Sequence, residues 1–267
     1  MNRPATFSEP SPGRDNGGNE NACGNGLSRG VDFSGLARAY RWLEYLSFGP
    51  LLARCRLHFL PQLGAARRAL ILGDGDGRFA AEFLRANADA LVDVVDSSEA
   101  MLLQVRRRIA AVPGGAARVT LHCCDALDFR PGGVELAGSG DGQRLKAYDL
   151  VVTHFFLDCF STAELVGLVR RVGPHLSANA LWVVSEFAVP PSGSSRLLRL
   201  AARSMIGGLY RVFGILTGLG VRQLPDYGEA LRQAGFEIGE RRTWLGGLLA
   251  SELWRRSPRP EKALERD

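Results

Sequence analysis

The segment Gly73-Asp74-Gly75-Asp76-Gly77 follows directly on the apolar run Ala69-Leu70-Ile71-Leu72. Alternating glycines let a backbone turn with positive φ and let a bulky ligand approach main-chain N–H groups that a Cβ would shield. The chemistry this suggests is the cradling of a nucleotide-like molecule. Gly75-x-Gly77-x-x-Ala80 satisfies a permissive dinucleotide fingerprint, and Asp96 lies roughly 20 residues further on, where a carboxylate grips ribose hydroxyls. Four more polar residues end apolar runs or follow them: Asp125, Thr153, His154 and Glu186. Histidine titrates near neutrality and a buried glutamate is readily tuned, so His154 and Glu186 are the candidate catalytic bases. A rim histidine that is simply hydrogen-bonded is the alternative for His154.

These residues need a scaffold, and the apolar periodicity supplies one. Strands are expected at 69–72, 91–95, 118–122, 148–153 and 180–187, with helices near 78–88, 98–112 and 161–172. Ser98 is placed to cap the second helix, which leaves Asp96 free of that task, and Ser161-Thr162-Ala163-Glu164 is a capping box for the third. Strands that alternate with helices and are nearly continuous in apolar residues imply an α/β fold with a parallel sheet covered on both faces. Ligands on such sheets lie at the carboxyl ends of the strands, so Gly73, Asp96, Asp125, Thr153 and Glu186 should converge on one rim. A helix from Asp226 to Ala234, ended by Gly235, and a strand pair at 236–244 and 248–254 close the pattern.

The flanks read differently. Residues 1–31 are rich in Gly, Asn, Ser and Pro with few large apolar residues, and are expected to be a disordered tail. Residues 32–65 carry two short amphipathic helices that could cap the pocket, divided near Gly49-Pro50. The main domain is expected over 66–256, with a basic, glycine-interrupted helical insertion at 194–224 and a flexible tail at 257–267. Arg196, Arg199 and Arg203, about one turn apart beside an apolar face, suit a lid or a peripheral contact with an anionic membrane.

With 267 residues, 46% of them hydrophobic and 23% charged, one substantial core is expected. The net charge of +5 is spread among arginine pairs beside periodic segments rather than in a basic stripe with aromatics, so a nucleic-acid partner is not expected. The five cysteines form no CxxC pair and are odd in number, so neither a metal site nor a disulfide framework is implied. No apolar stretch is long enough for a membrane span, and a cytoplasmic location is expected.

Taken together, residues 66–186 resemble the class I S-adenosylmethionine (SAM) dependent methyltransferases, and most nearly the small-molecule branch that includes the quinone-biosynthesis C-methyltransferases. Gly73-Asp74-Gly75-Asp76-Gly77 matches the glycine motif, and Val95-Asp96-Ser97-Ser98-Glu99-Ala100-Met101-Leu102 resembles the ribose motif. Cys124-Asp125-Ala126 resembles the adenine step, and Tyr148-Asp149-Leu150-Val151-Val152-Thr153-His154 resembles the fourth motif. The resemblance implies a doubly wound, seven-stranded, mostly parallel Rossmann-like sheet with an antiparallel last strand, SAM as cofactor and a small-molecule acceptor. It also implies that Gly73, Asp74, Gly75, Gly77, Asp96, Ser97, Met101, Asp125, Ala126 and Thr153 line the cofactor. Met101 lies either against the adenine or in the core. Many family members carry an acid where this chain has Ile71, so Asp74 or Asp76 is the substitute carboxylate near the methionine ammonium, and Tyr40 is a candidate for the methionine carboxylate. Tyr210 and Tyr227 are candidates for the acceptor pocket. Two other functions fit the same residues: an NAD(P)-dependent oxidoreductase and a non-catalytic SAM-binding protein.

Overall fold

The computed structural model describes residues 49–132, 147–188 and 225–257. The expectations for the N-terminal tail, for Tyr40 and the first cap helix, for the 194–224 insertion with Tyr210, and for the C-terminal tail lie outside them. The described chain runs α1 (Gly49–Leu57), β1 (Arg68–Leu72), α2 (Arg78–Ala86), β2 (Leu91–Asp96), α3 (Glu99–Ala110) and β3 (Val119–Cys123). It continues with β4 (Tyr148–His154), α4 (Thr162–Val172), β5 (Leu176–Phe187), α5 (Tyr227–Gln233), β6 (Phe236–Trp244) and β7 (Leu249–Arg256).

Local chemistry sets the helix boundaries. Ser98 Oγ accepts from Met101 N–H and starts α3. At α4 the capping box is complete, with Ser161 Oγ accepting from Glu164 N–H and Glu164 Oε2 accepting from Ser161 N–H at 2.8 Å. Asp226 caps α5, and Gly235 at φ +82° ends it. Helix α2 opens directly from Gly77 and buries Phe79, Ala80, Ala81, Phe83 and Leu84 on one side. Burying Phe79 and Phe83 contributes about 2 kcal/mol each.

The seven strands form one sheet in the order β3-β2-β1-β4-β5-β7-β6. β1 pairs in parallel with β2 and β4, β2 with β3, and β4 with β5, while β7 runs antiparallel to β5 and β6. Alternation along the strands splits the core in two. Ala69, Ile71, Val92, Val94 and Val152 pack with α2 and α3 on one face. Leu70, Leu72, Val95, Val151 and Trp182 pack with α4 and α5 on the other. A smaller cluster joins Leu52 and Cys55 of α1 to Phe187, Leu248 and Leu249. The chain order reverses between β1 and β4, so a crevice opens beyond their carboxyl ends, where α/β sheets bind ligands. β5 begins four residues before the apolar run at Ala180, at Leu176, across an irregularity in its register with β4.

Candidate active site

Each glycine of the Gly73–Gly77 loop has positive φ: +68°, +64° and +79°. Their surroundings differ. A Cβ on Gly73 would collide with the Phe156 ring, and one on Gly77 would stand 2.9 Å from Val105 Cα, so these two serve close packing. A Cβ on Gly75 would meet nothing within 4 Å. Gly75 is therefore the glycine that leaves open surface at the end of β1, as a nucleoside site requires.

The acids of the loop part company. Asp76 Oδ2 is held by Arg78 (3.0 Å) and Arg108 (2.8 Å), so its charge is already taken. Asp74 Oδ2 accepts from Ala80 N–H at 3.0 Å, above the start of α2. Burial pushes its carboxyl up to about 7, against the Ala80 N–H, the Arg56 charge and the Phe79 N–H, which lower it. Of the two carboxylates anticipated for the cofactor's ammonium, Asp74 is the one whose ionisation a ligand cation would favour.

Across the crevice, Asp96 ends β2. Its Oδ1 accepts from Ser98 N–H at 2.8 Å, and burial raises its carboxyl to about 6. Ser97 beside it is exposed. Met101 is half-buried and belongs to neither apolar face of the core, unlike Leu102, Val105 and Ile109 on the same helix. Beyond β3, Asp125 is exposed and accepts from Leu127 N–H at 2.8 Å, while Ala126 is buried beneath it.

Three expectations are corrected by side-chain direction. Thr153 is fully buried, and its Oγ1 accepts from Trp182 Nε1 at 3.1 Å, so the side chain faces the core and not the rim. His154 pairs with Ser185 in the β4–β5 ladder, so Glu186, one residue further on, points to the opposite face of the sheet. The two candidate bases are not brought together. His154 lies against Phe79, ring centroids 4.8 Å apart, and burial followed by the Arg56 charge holds it well below its usual range.

Glu186 is a clamp. Its Oε1 accepts from the N–H groups of Phe156 (3.0 Å) and Leu157 (2.8 Å), and burial, the nearby Asp158 charge and Glu252 push its carboxyl well above the usual range. It holds the turn Leu157–Cys159 so that Phe156 covers Gly73. Burial and the charges of Asp158, Glu186 and Asp96 raise the Cys159 thiol well above its usual range, which places this turn between the ends of β2 and β5. Tyr227 is half-buried, and burial with the Glu252 charge beside it raises its phenol.

Sequence reasoning missed two groups. Phe156 and Arg56 reach the crevice only through tertiary packing, Arg56 with its guanidinium 5.2 Å from the Phe155 ring centroid. At the other end of the strands, Asp93 accepts from Tyr148 Oη (2.8 Å) and Arg68 (3.2 Å) and lies 2.8 Å from His122 Nε2. Burial alone would raise Asp93; His122, Tyr148 and Arg68 outweigh it and keep the carboxyl low. The available signal was an acid in the middle of the apolar run Leu91–Val95.

The family model described as "Methyltransferase domain" matches residues 70–182, from the middle of β1 to the middle of β5. Residues 70–182 are thus similar to a methyltransferase domain. That likeness implies SAM as the methyl donor. Among solved structures, the chain is similar to an O-methyltransferase family protein from Burkholderia thailandensis, at 18% identity and TM-score 0.58, over 84% of this chain and 60% of that one. It is also similar to the mitomycin 7-O-methyltransferase MmcR, at 14% identity and TM-score 0.59, over 86% and 62%. A third is the SAM-dependent methyltransferase SibL, at 21% identity and TM-score 0.53, over 83% and 58%. The chain thus shares their fold and spans about three fifths of their length. No curated protein matches it in sequence.

Proposed function

We propose that this chain is an enzyme that transfers the methyl group of SAM to a small, lipophilic acceptor. The observation that carries the reading is the open face of Gly75 at positive φ, opposite the Asp96 carboxylate, within a methyltransferase domain. Bound SAM supplies an electrophilic methyl on a sulfonium, so the protein needs no nucleophile of its own. The residues act by position: Asp96 accepts from the ribose hydroxyls, Met101 lies along the base, and Asp125 takes the exocyclic amine. Asp74 faces the ammonium, and the Glu186-clamped turn walls the crevice against water.

The acceptor class rests on the likeness to structures whose names describe small-molecule O-methyltransferases and on the apolar, arginine-bearing sequence of 194–224. The motifs' resemblance to the quinone-biosynthesis branch suits a quinone-like acceptor. The reading includes a cytoplasmic location, where a buried thiol such as Cys55 stays reduced. Calorimetric titration with SAM, S-adenosylhomocysteine and NADH, on the wild type and on Asp96→Ala, tests the proposal. Micromolar binding of the first two, lost in the variant, is the expected result. Binding of NADH alone would overturn it in favour of an oxidoreductase. Turnover of a screened lipophilic phenol or quinone then separates an enzyme from a non-catalytic SAM-binding protein.

A further inference from the structure

Glu186 is 1% exposed, and its two oxygens stand differently. Oε1 is fixed by the N–H groups of Phe156 and Leu157, whereas Oε2 is buried with no hydrogen-bond partner. A buried acceptor without a donor is costly, and an unfilled carboxyl oxygen marks a place where a ligand's donor would complete the fold.

Further acids share that corner. Across the antiparallel ladder Glu186 lies opposite Ala250, and Val184 lies opposite Glu252. Glu186 and Glu252 are therefore diagonal neighbours on one face of the sheet, the face of Trp182 and Trp254. Asp158, in the turn that Glu186 clamps, brings a third carboxyl, and the charges of Asp158 and Glu252 are both felt at Glu186. Tyr227, the first residue of α5, senses Glu252 and Glu186 in turn. Positive charge is shared unevenly among the acids. Glu252 has Arg241 Nε at 3.3 Å and accepts from Trp254 Nε1 at 2.9 Å, while among the described residues no cation pairs with Glu186.

The corner lies at the carboxyl ends of β4 and β5, where an α/β sheet receives its ligands. Phe156 joins it to the glycine loop, with its N–H on Glu186 and its ring on Gly73. A neutral hydroxyl would satisfy Oε2 and leave the acids crowded, and an anion would be repelled. An ammonium supplies an N–H donor and the missing positive charge together, as a charge-assisted hydrogen bond.

We propose that Glu186 Oε2, flanked by Asp158 and Glu252, receives a protonated amine carried by the methyl acceptor. The inference rests on the methyltransferase reading and narrows the acceptor to a lipophilic molecule with a basic nitrogen as its handle. Glu186 then determines specificity through one oxygen and shapes the crevice through the other.

Three phenols of similar shape test it: tyramine, whose side chain ends in an ammonium, 4-(2-hydroxyethyl)phenol, which ends in a hydroxyl, and 4-propylphenol, which ends in a methyl. Each is titrated calorimetrically into the full chain saturated with S-adenosylhomocysteine, as wild type, Glu186→Gln and Asp158→Asn. The wild type should bind tyramine at least about tenfold more tightly than 4-propylphenol, with the hydroxyl compound between them. Glu186→Gln keeps an amide oxygen for the two N–H groups and puts a donor in place of Oε2, so tyramine should fall to the level of 4-propylphenol. Asp158→Asn should lose part of the preference. S-adenosylhomocysteine binding in each variant reports an intact clamp, and where a variant loses it the wild-type ranking decides. Equal wild-type affinity for tyramine and either neutral phenol, no binding of any of the three, or a preference that survives Glu186→Gln overturns the inference while leaving the methyltransferase reading standing. A wild type that does not bind S-adenosylhomocysteine overturns the reading itself.

Discussion

Alanine in place of Gly75 separates a binding surface from a packing contact. All three loop glycines hold positive φ, so alanine at any of them costs about 1–2 kcal/mol of backbone strain. The space around them then decides the rest. At Gly77 the new methyl would meet the Val105 backbone at 2.9 Å, and a backbone atom of α3 cannot rotate away. Overpacking of that kind adds about 1–3 kcal/mol. At Gly75 the methyl meets nothing within 4 Å, so the strain stands alone. Gly75→Ala should therefore lower the Tm of the ligand-free protein by about 2–8 °C, and Gly77→Ala by roughly twice that. Binding should rank the other way relative to stability. The Gly75 methyl stands where the nucleoside approaches the loop, and the loss of one well-made contact amounts to about tenfold in affinity, or about 1.4 kcal/mol. Thermal unfolding without ligand and calorimetry with S-adenosylhomocysteine measure the two effects on the same samples. Wild-type affinity in Gly75→Ala would refute the reasoning, because the open face would then not be the ligand's.

Three further outcomes are expected. Asp96 and Asp74, raised to about 6 and about 7, accept from the cofactor only when ionised, so SAM affinity should rise as pH increases through 6 to 7 and level off above 8. In the ligand-free protein the same raised carboxyls favour the fold below the usual carboxylate range and lose that contribution as pH rises through 6 to 7. Asp96→Asn should remove the lower part of the binding profile, and a flat wild-type profile would refute the assignment. His154→Leu should stabilise the ligand-free protein by about 1–3 kcal/mol by removing an unpartnered buried imidazole, and a lower Tm would show that the ring is satisfied. Asp93→Ala strands the buried Arg68 and should cost about 3–5 kcal/mol in urea unfolding. Because Asp93 is held low, that difference should be full above the usual carboxylate pKa and shrink as the pH falls through the depressed value in the fold.

Much of this molecule is written in short stretches of chain. The positive-φ glycines, the Ser98 cap and the Ser161–Glu164 capping box involve partners within a few residues, so their chemistry is complete in the local sequence. The apolar runs located the strands, and Asp96 ends β2. Alternation also assigns parity along one strand. It cannot relate the parity of two strands, so it could not show that the candidate bases His154 and Glu186 lie on opposite faces. The β4–β5 register pairs His154 with Ser185, and that single offset sends Glu186 through to the other face. The same holds for Phe156 over Gly73, for Arg56 near Asp74 and for the Arg68–Asp93–His122–Tyr148 network, whose members lie on four strands. Local sequence determined which residues can turn, cap and carry charge, because those preferences act over a few bonds. Which of them share a site was decided by strand order and register, because these arise from burying two apolar faces of one sheet at once.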